Sequence, residues 1–218
     1  GSLSSVKIIG ERSCFDERDI MFARGRYVPG SDAYSDYYHR RPERKKTDDA
    51  LRAMPNLFEP AGLHYEPVGA KIADNNFEMN EKLIPFCNGE PATEKTPIDP
   101  DKATAAIKNL CLSLGAVDVG MARLDPFHLY SHVGRGPGGY GTPIKDEFEN
   151  VIVFAVEMDF SAMQQAPKMS VVVESSKQYL EAAKIAINAA SFIRSLGYNA
   201  RAHMDANYRF MLPAAAVD

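Results

Sequence analysis

The sequence predicts an α+β protein, a sheet covered by helices and preceded by an extended N-terminal arm, and three observations predict it. Apolar residues recur at helical spacing along SSKQYLEAAKIAINAASFIRSLG. Two shorter runs, AVDVGMARL and ENVIVFAVEM, are alternating or almost wholly apolar, as strands are. The stretches KNLCLSLGAVDVGMA and ASFIRSLGYNARAHM repeat an order of helix, Leu-Gly and strand, so that two helix-to-strand units follow one another through short connections.

Composition sets the outer bounds. At 218 residues the chain is long enough to bury a real core, and 45% hydrophobic with 25% charged residues is ordinary globular usage. A net charge of -4 argues against a general nucleic-acid binder, whose footprint is basic. No apolar run approaches the roughly 20 residues of a membrane span. No export signal is visible, so a cytoplasmic location is expected, with a removed targeting segment as the other reading. Cys14, Cys87 and Cys111 are odd in number and far apart, which favours buried or free thiols over a disulfide framework or a Cys-rich metal site.

Residues 1–99 form the expected arm. Eight prolines between Pro29 and Pro97 interrupt any long element, leaving short helices such as TDDALRAM, with Thr47 or Asp48 as cap. YSDYYHRRPERKK mixes tyrosines with cations, as single-strand nucleic-acid contacts do, but its acidic residues favour a solvated helical face. Residues 100–218 form the second expected unit. PIDPDKATAAIKNLCLSLG has Asp99 as N-cap, Pro100 at the first helical position, and Ala106, Leu110 and Leu114 on one face. In the long helix, Tyr179, Ala183, Ala186, Ala190 and Ile193 share a stripe, while Lys177, Glu181, Lys184, Asn188, Ser191 and Ser195 lie opposite. Its alanines and terminal Gly197 predict close packing on a sheet, and YNARAHM follows as a strand. After a polar bend, LPAAAVD has helical character and reaches Asp218 without a terminator, which reads as an interrupted element.

Several stretches carry candidate chemistry. GRGPGGYG lacks the flanking strand and helix of a phosphate cradle and reads as a mobile active-site or surface loop. His128 and His132 would share a helix face, a zinc pair only if a third ligand joined them; solvent-facing or hydrogen-bonded histidines are the simpler reading. Tyr179, placed in the first turn of its helix beside Lys177, is either a core tyrosine with a satisfied hydroxyl or a proton donor at a strand end. His203, Asp205 and Asn207 gather donors and acceptors at one bend, where capping residues also occur.

At these residues the sequence resembles a known family. ESSKQYLEAAKIAINAASFIRSLGYNARAH with MDANYRFMLPAAAVD is similar to the corrinoid-binding region of reductive dehalogenases and of their relatives, the epoxyqueuosine reductases. FENVIVFAVEMDFSAMQQAP resembles the family's central strand, and ERSCFDERDIMFARGRYVPGSDAYSDYYHRRPE the arm of the dehalogenase branch. The resemblance implies a nitroreductase-like corrinoid-binding fold, truncated here, holding a base-off cobamide fed by two iron–sulfur clusters. It implies Tyr179 as the proton donor, with Asp205 and Asn207 beside it, and His203, Met204 and Ala206 as cofactor-binding residues. The Ala-Gly-Leu-Gly-Glu turn that the family places next is absent, as are the Cys-rich cluster motifs. The chain is therefore expected to be the N-terminal portion of a cobamide-dependent enzyme, inactive alone, with an organohalide substrate for the complete protein and a homo-oligomeric state. The other readings are a stand-alone binding or scaffold protein and a fragment of an epoxyqueuosine reductase-like enzyme.

Overall fold

A computed structural model of the chain describes residues 11, 13–136, 139–145, 148–205 and 207–211. Asp99 opens helix α5 (Pro100–Ser113), after α1 (Met21–Arg24), α2 (Asp32–Arg40), α3 (Lys45–Arg52) and α4 (Pro67–Lys82). Its carboxylate accepts from the Asp101 and Lys102 N–H groups at 3.1 and 3.2 Å, the cap that the sequence predicts. The buried face of α5 is set by Ile107 and Cys111, one step round from the expected Ala106 and Leu110, which are half-buried. Gly115, at φ 113°, turns the chain into strand β1 (Asp118–Arg123).

β1 pairs with β2 (Asn150–Ala155) in an antiparallel ladder, Asp118 opposite Ala155 and Arg123 opposite Asn150. Both predicted strands form, and among the described residues they make a two-stranded sheet. YNARAHM does not join it. After the long helix α7 (Met169–Ser195), Arg194 donates to the carbonyls of Phe86, Cys87 and Ala200, and the Ala202 N–H donates to Cys87 O at 2.9 Å. These bonds draw residues 200–202 onto the turn at Ile84–Cys87 and away from a strand ladder.

α7 follows the short helix α6 (Phe160–Met163) and starts at Met169, ahead of the expected Ser175. Two of its sides are buried, which explains its small residues. Ala183, Ala186 and Ala190 pack with Cys87, Ala202 and Met204. Ile185 and Ala189 pack with Ile107, Cys111, Ala116 and Val119 of the α5–β1 unit. α4 lies along the first half of α7 through Gly69, Ala70 and Ala73; a Cβ on Gly69 would stand 2.8 Å from Met169 Cγ.

A further cluster, with Tyr140 packed against it, is built from tyrosines near the N-terminus. Ala23, Tyr27, Tyr37 and Tyr38 are buried together, so YSDYYHRRPERKK is in part interior and not a solvated face. With few aliphatic residues available, each buried ring must send its hydroxyl to an acceptor, and Tyr27 Oη donates to the Arg18 carbonyl at 3.2 Å. Tyr37 Oη donates to Asp19 at 3.0 Å and Tyr38 Oη to Asp48 at 2.9 Å; burial, with Asp19 beside it, pushes Tyr37 up to about 12. Asp48 is therefore not the cap of α3, and neither is Thr47: the helix starts earlier, at Lys45, and Asp48 points inward to Tyr38 and Arg24.

Candidate functional site

A cavity of about 900 Å³ runs between β2, α7 and the segment 197–210. Its walls are mostly apolar: Val151, Ile152, Val153 and Phe154 from the strand, and Ala182, Ala186, Ala189 and Ala190 from the helix. Tyr179 and Ile193 both line it, roughly 21 Å apart along α7 at 1.5 Å per residue. The cavity is therefore elongated, and Tyr179, Asp205 and Tyr208 gather at one place in it.

Tyr179 stands well inside α7, not in its first turn, because the helix begins at Met169. It is 42% exposed, with its ring 5.8 Å from that of Phe77, so it is not a fully packed core tyrosine. Lys177 is not its cationic neighbour, since that ammonium turns to Glu174 at 3.4 Å. The charges that Tyr179 feels are Asp205 and Arg135. Burial and the Asp205 carboxylate raise its pKa, and Arg135 opposes them. The phenol thus keeps its proton at neutral pH.

Arg135 is the organising residue that sequence reading missed. Its side chain is 4% exposed. Nε donates to Glu17 Oε1 at 3.2 Å, Nη1 to Asp205 Oδ1 at 3.5 Å, and the guanidinium lies 4.4 Å from the Tyr208 ring centroid. Gly134 N–H donates to the same Glu17 carboxylate at 2.8 Å. A Cβ on Gly134 would fall 2.5 Å from Glu17 C, so the glycine is required by close approach of the arm. The start of GRGPGGYG is in this way buried and bound, not a mobile surface loop. The only advance signal was an arginine within a glycine-rich run.

The polar bend divides in two. Asp205 faces Arg135 and Tyr179, whereas Asn207 faces Arg201, which donates to its carbonyl at 2.9 Å and also to Oδ1. His203 Nδ1 accepts from Arg201 Nη1 at 2.8 Å and from the Arg209 N–H at 3.3 Å. Burial, with Arg201 and Arg209 beside it, lowers His203 to about 3, so its imidazole is neutral. Met204 is buried against Cys87, Ala183 and Ala202; Ala206 and the expected helical segment 212–218 lie outside the described residues. His128 and His132 share no helix: Asp125-Pro126 starts a single turn that ends at His128, whose Nδ1 accepts the Asp125 N–H at 3.2 Å. His132 Nδ1 instead lies 3.0 Å from Ser131 Oγ. Among the described residues no group of three His, Cys, Asp or Glu side chains is placed to hold a metal ion.

No protein-family model and no curated protein matches the chain. Solved structures do. The catabolic reductive dehalogenase NpRdhA matches with a TM-score of 0.57 and 25% identity, over 66% of this chain and 21% of that one. The chain shares its fold with part of the reductive dehalogenases. The same enzyme in complex with 3-bromo-4-hydroxybenzoic acid matches with a TM-score of 0.55 and 25% identity, over 63% and 20% of the two chains. Another reductive dehalogenase structure, described as suggesting a mechanism for B12-dependent dehalogenation, has a TM-score of 0.58 at 23% identity and covers 77% of this chain. This chain spans only a fifth to a quarter, 21 to 25%, of the length of these reductive dehalogenases. Helices dominate this chain, and among the described residues its sheet is the β1–β2 pair.

Proposed function

We propose that this chain is part of a cobamide-dependent reductive dehalogenase, in which it supplies one wall of the corrinoid and organohalide cavity together with the proton donor, within a nitroreductase-like corrinoid-binding fold. The residues present fit a flat macrocycle. The wall that α7 offers is a run of alanines, small enough for close approach, and the opposite wall is the apolar β2. His203 Nδ1 is held by Arg201 and the Arg209 N–H, which fixes the ring at the cavity wall. Cavity residues Met204 and His203 are assigned to the cofactor's surroundings, and with them Ala206, which lies outside the described residues.

When bound, the cobamide supplies the electrons that break the carbon–halogen bond. The remaining work falls to this chain's side chains. Tyr179 holds a proton on Oη beside the cavity, and its raised pKa keeps the proton there until a carbon centre needs it. Arg135 then stabilises the phenolate that remains. Asp205 is tied to Arg135, which holds it in position, so it serves as the second carboxyl group at the site and not as the first acid. Asn207, bound by Arg201, fixes the bend that carries Asp205. Iron–sulfur clusters are assigned to other segments of the protein, since the three cysteines here are Cys14 on the surface and Cys87 and Cys111 buried apart in two different clusters.

The observation that carries this reading is Tyr179 on the wall of an apolar cavity within the electrostatic reach of Arg135 and Asp205. In the gene product carrying this sequence, loaded with cobamide, Tyr179→Phe is expected to leave folding nearly unchanged and to lower turnover by about 10²- to 10⁴-fold. Turnover within a few-fold of wild type would retire Tyr179 as the donor.

A further inference from the structure

We infer that Glu17 is a positioning residue for the proposed proton donor: through its carboxylate the N-terminal arm holds the Arg135 guanidinium against Asp205, at the end of the large cavity where Tyr179 stands. The inference rests on the proposed reading of Tyr179 and adds the group that fixes its cation. Arg135 lies outside every helix and strand, in a run where Gly136, Gly139 and Gly141 take positive φ. A side chain on such a segment has no regular element behind it, so its direction must be set by a contact from elsewhere.

Glu17 supplies that contact. It is 2% exposed and uses both carboxylate oxygens, Oε1 accepting from Arg135 Nε at 3.2 Å and Oε2 from the Gly134 N–H at 2.8 Å. Two bonds to adjoining residues fix direction as well as distance, and bonds between charged groups are the stronger kind. The other contacts of Arg135 are looser. Nη1 reaches Asp205 only at 3.5 Å, longer than the roughly 3.2 Å limit of a well-formed N–H···O bond, and Nη2 has no hydrogen-bond partner. The rings of Tyr208 and Phe22, 4.4 and 5.7 Å away, restrain the guanidinium without accepting its N–H groups. Glu17 is itself fixed. Its turn, Glu17–Asp19, is capped by Asp16, which accepts the Arg18 N–H at 2.9 Å, and the Ser131 N–H donates to Phe15 O at 2.8 Å, tying the arm to the chain just before Gly134. Asp205 and Tyr208, which Arg135 touches, border the large cavity with Tyr179, whereas Glu17 and Arg135 do not. Glu17 therefore acts through Arg135. The charges felt by Tyr179 agree, since they come from Asp205 and Arg135 and not from Glu17.

The test uses the 218-residue chain made with 3-fluorotyrosine, whose phenol ionises at lower pH than that of tyrosine. The fluorine resonance of residue 179, one of ten tyrosines, is assigned by its loss in Tyr179→Phe, and the dispersion of the others reports that each variant is folded. Arg135→Met sets the scale, raising the titration midpoint at residue 179 by loss of the cation. Glu17→Gln, which keeps the shape of the side chain without its charge, is expected to raise the midpoint nearly as far, because Arg135 is released, and to add nothing in the Arg135→Met background. A carboxylate that acted directly on the phenol would give the opposite sign, and one needed only for folding would leave the midpoint in place. If Glu17→Gln does not fold, Glu17→Asp is read instead: it keeps the charge and draws it back by one carbon, and a rise part of the way is expected. A fall, an unmoved midpoint, or a rise that persists without Arg135 overturns the inference. The titration needs neither cofactor nor turnover, so failure of the donor reading, seen in the turnover of Tyr179→Phe, is distinguished from failure of the hold by Glu17.

Discussion

His203 is a neutral imidazole among cations, and its protonation links pH to stability. Its folded pKa, about 3, lies below the ordinary value of 6.5, so between those values the unfolded chain binds a proton that the folded chain refuses. The stabilising contribution is complete above pH 6.5 and is lost as the pH falls toward 3. Between pH 7 and pH 5 this group alone should cost about 2 kcal/mol of unfolding free energy. His203→Gln, which does not titrate, should therefore show a shallower fall than wild type in urea unfolding at the two pH values; parallel curves would refute the assignment. Sequence reading placed His203, Asp205 and Asn207 at one bend, and the structure has them there. It did not separate their roles, because the separation is made by Arg201 from one side and by Arg135 from the other, the latter 70 residues away in the chain. Spacing within a motif carries no information about a partner of that kind.

At the scale of elements, what was legible was local. The Asp99-Pro100 start of α5, the two apolar strands and the alanine stripe of α7 each depend on neighbours a few residues away, and each formed. The misread elements depend on distant groups: YNARAHM is diverted by Arg194 to the carbonyls of Phe86 and Cys87, and Asp48 leaves the capping role for a buried tyrosine. The end of α7 shows both kinds of constraint at one residue. Gly197 has φ 83°, and a Cβ there would stand 2.7 Å from Glu94 O and 2.8 Å from Lys95 Cα. Gly115 also has positive φ but nothing within 4 Å of the same position. Gly115→Ala should thus cost only the backbone strain, about 1 to 2 kcal/mol, and Gly197→Ala distinctly more, because the backbone of residues 94–95 must also move. Urea unfolding of the two variants compares them directly, and equal losses would show that the close approach to residues 94–95 carries no energy.

At the scale of the whole molecule, α+β was legible but the size of the sheet was not, because that depends on what pairs with the outer edge of β2. The Leu124 N–H donates to Glu149 O at 2.8 Å, which fixes the alternation along the ladder. Val151 and Val153 then direct their backbone groups to β1, and Ile152 and Phe154 direct theirs away from it. Among the described residues no backbone partner meets these outward groups, and β2 from Asn150 to Phe154 borders the large cavity. An unpaired apolar edge of this kind is a template for another strand. A second copy of the chain can supply one, so the chain is expected to self-associate, with the dimer fraction rising with concentration in light scattering. Ile152→Pro isolates the cause. It removes an N–H that points outward and leaves the inward donors of the ladder in place, a substitution that an edge strand tolerates better than a central one. The variant should remain helical by circular dichroism and shift to monomer at concentrations where the wild type is paired. A wild-type chain that stays monomeric at high concentration, or a proline variant that pairs as strongly, would exclude the β2 edge as the contact.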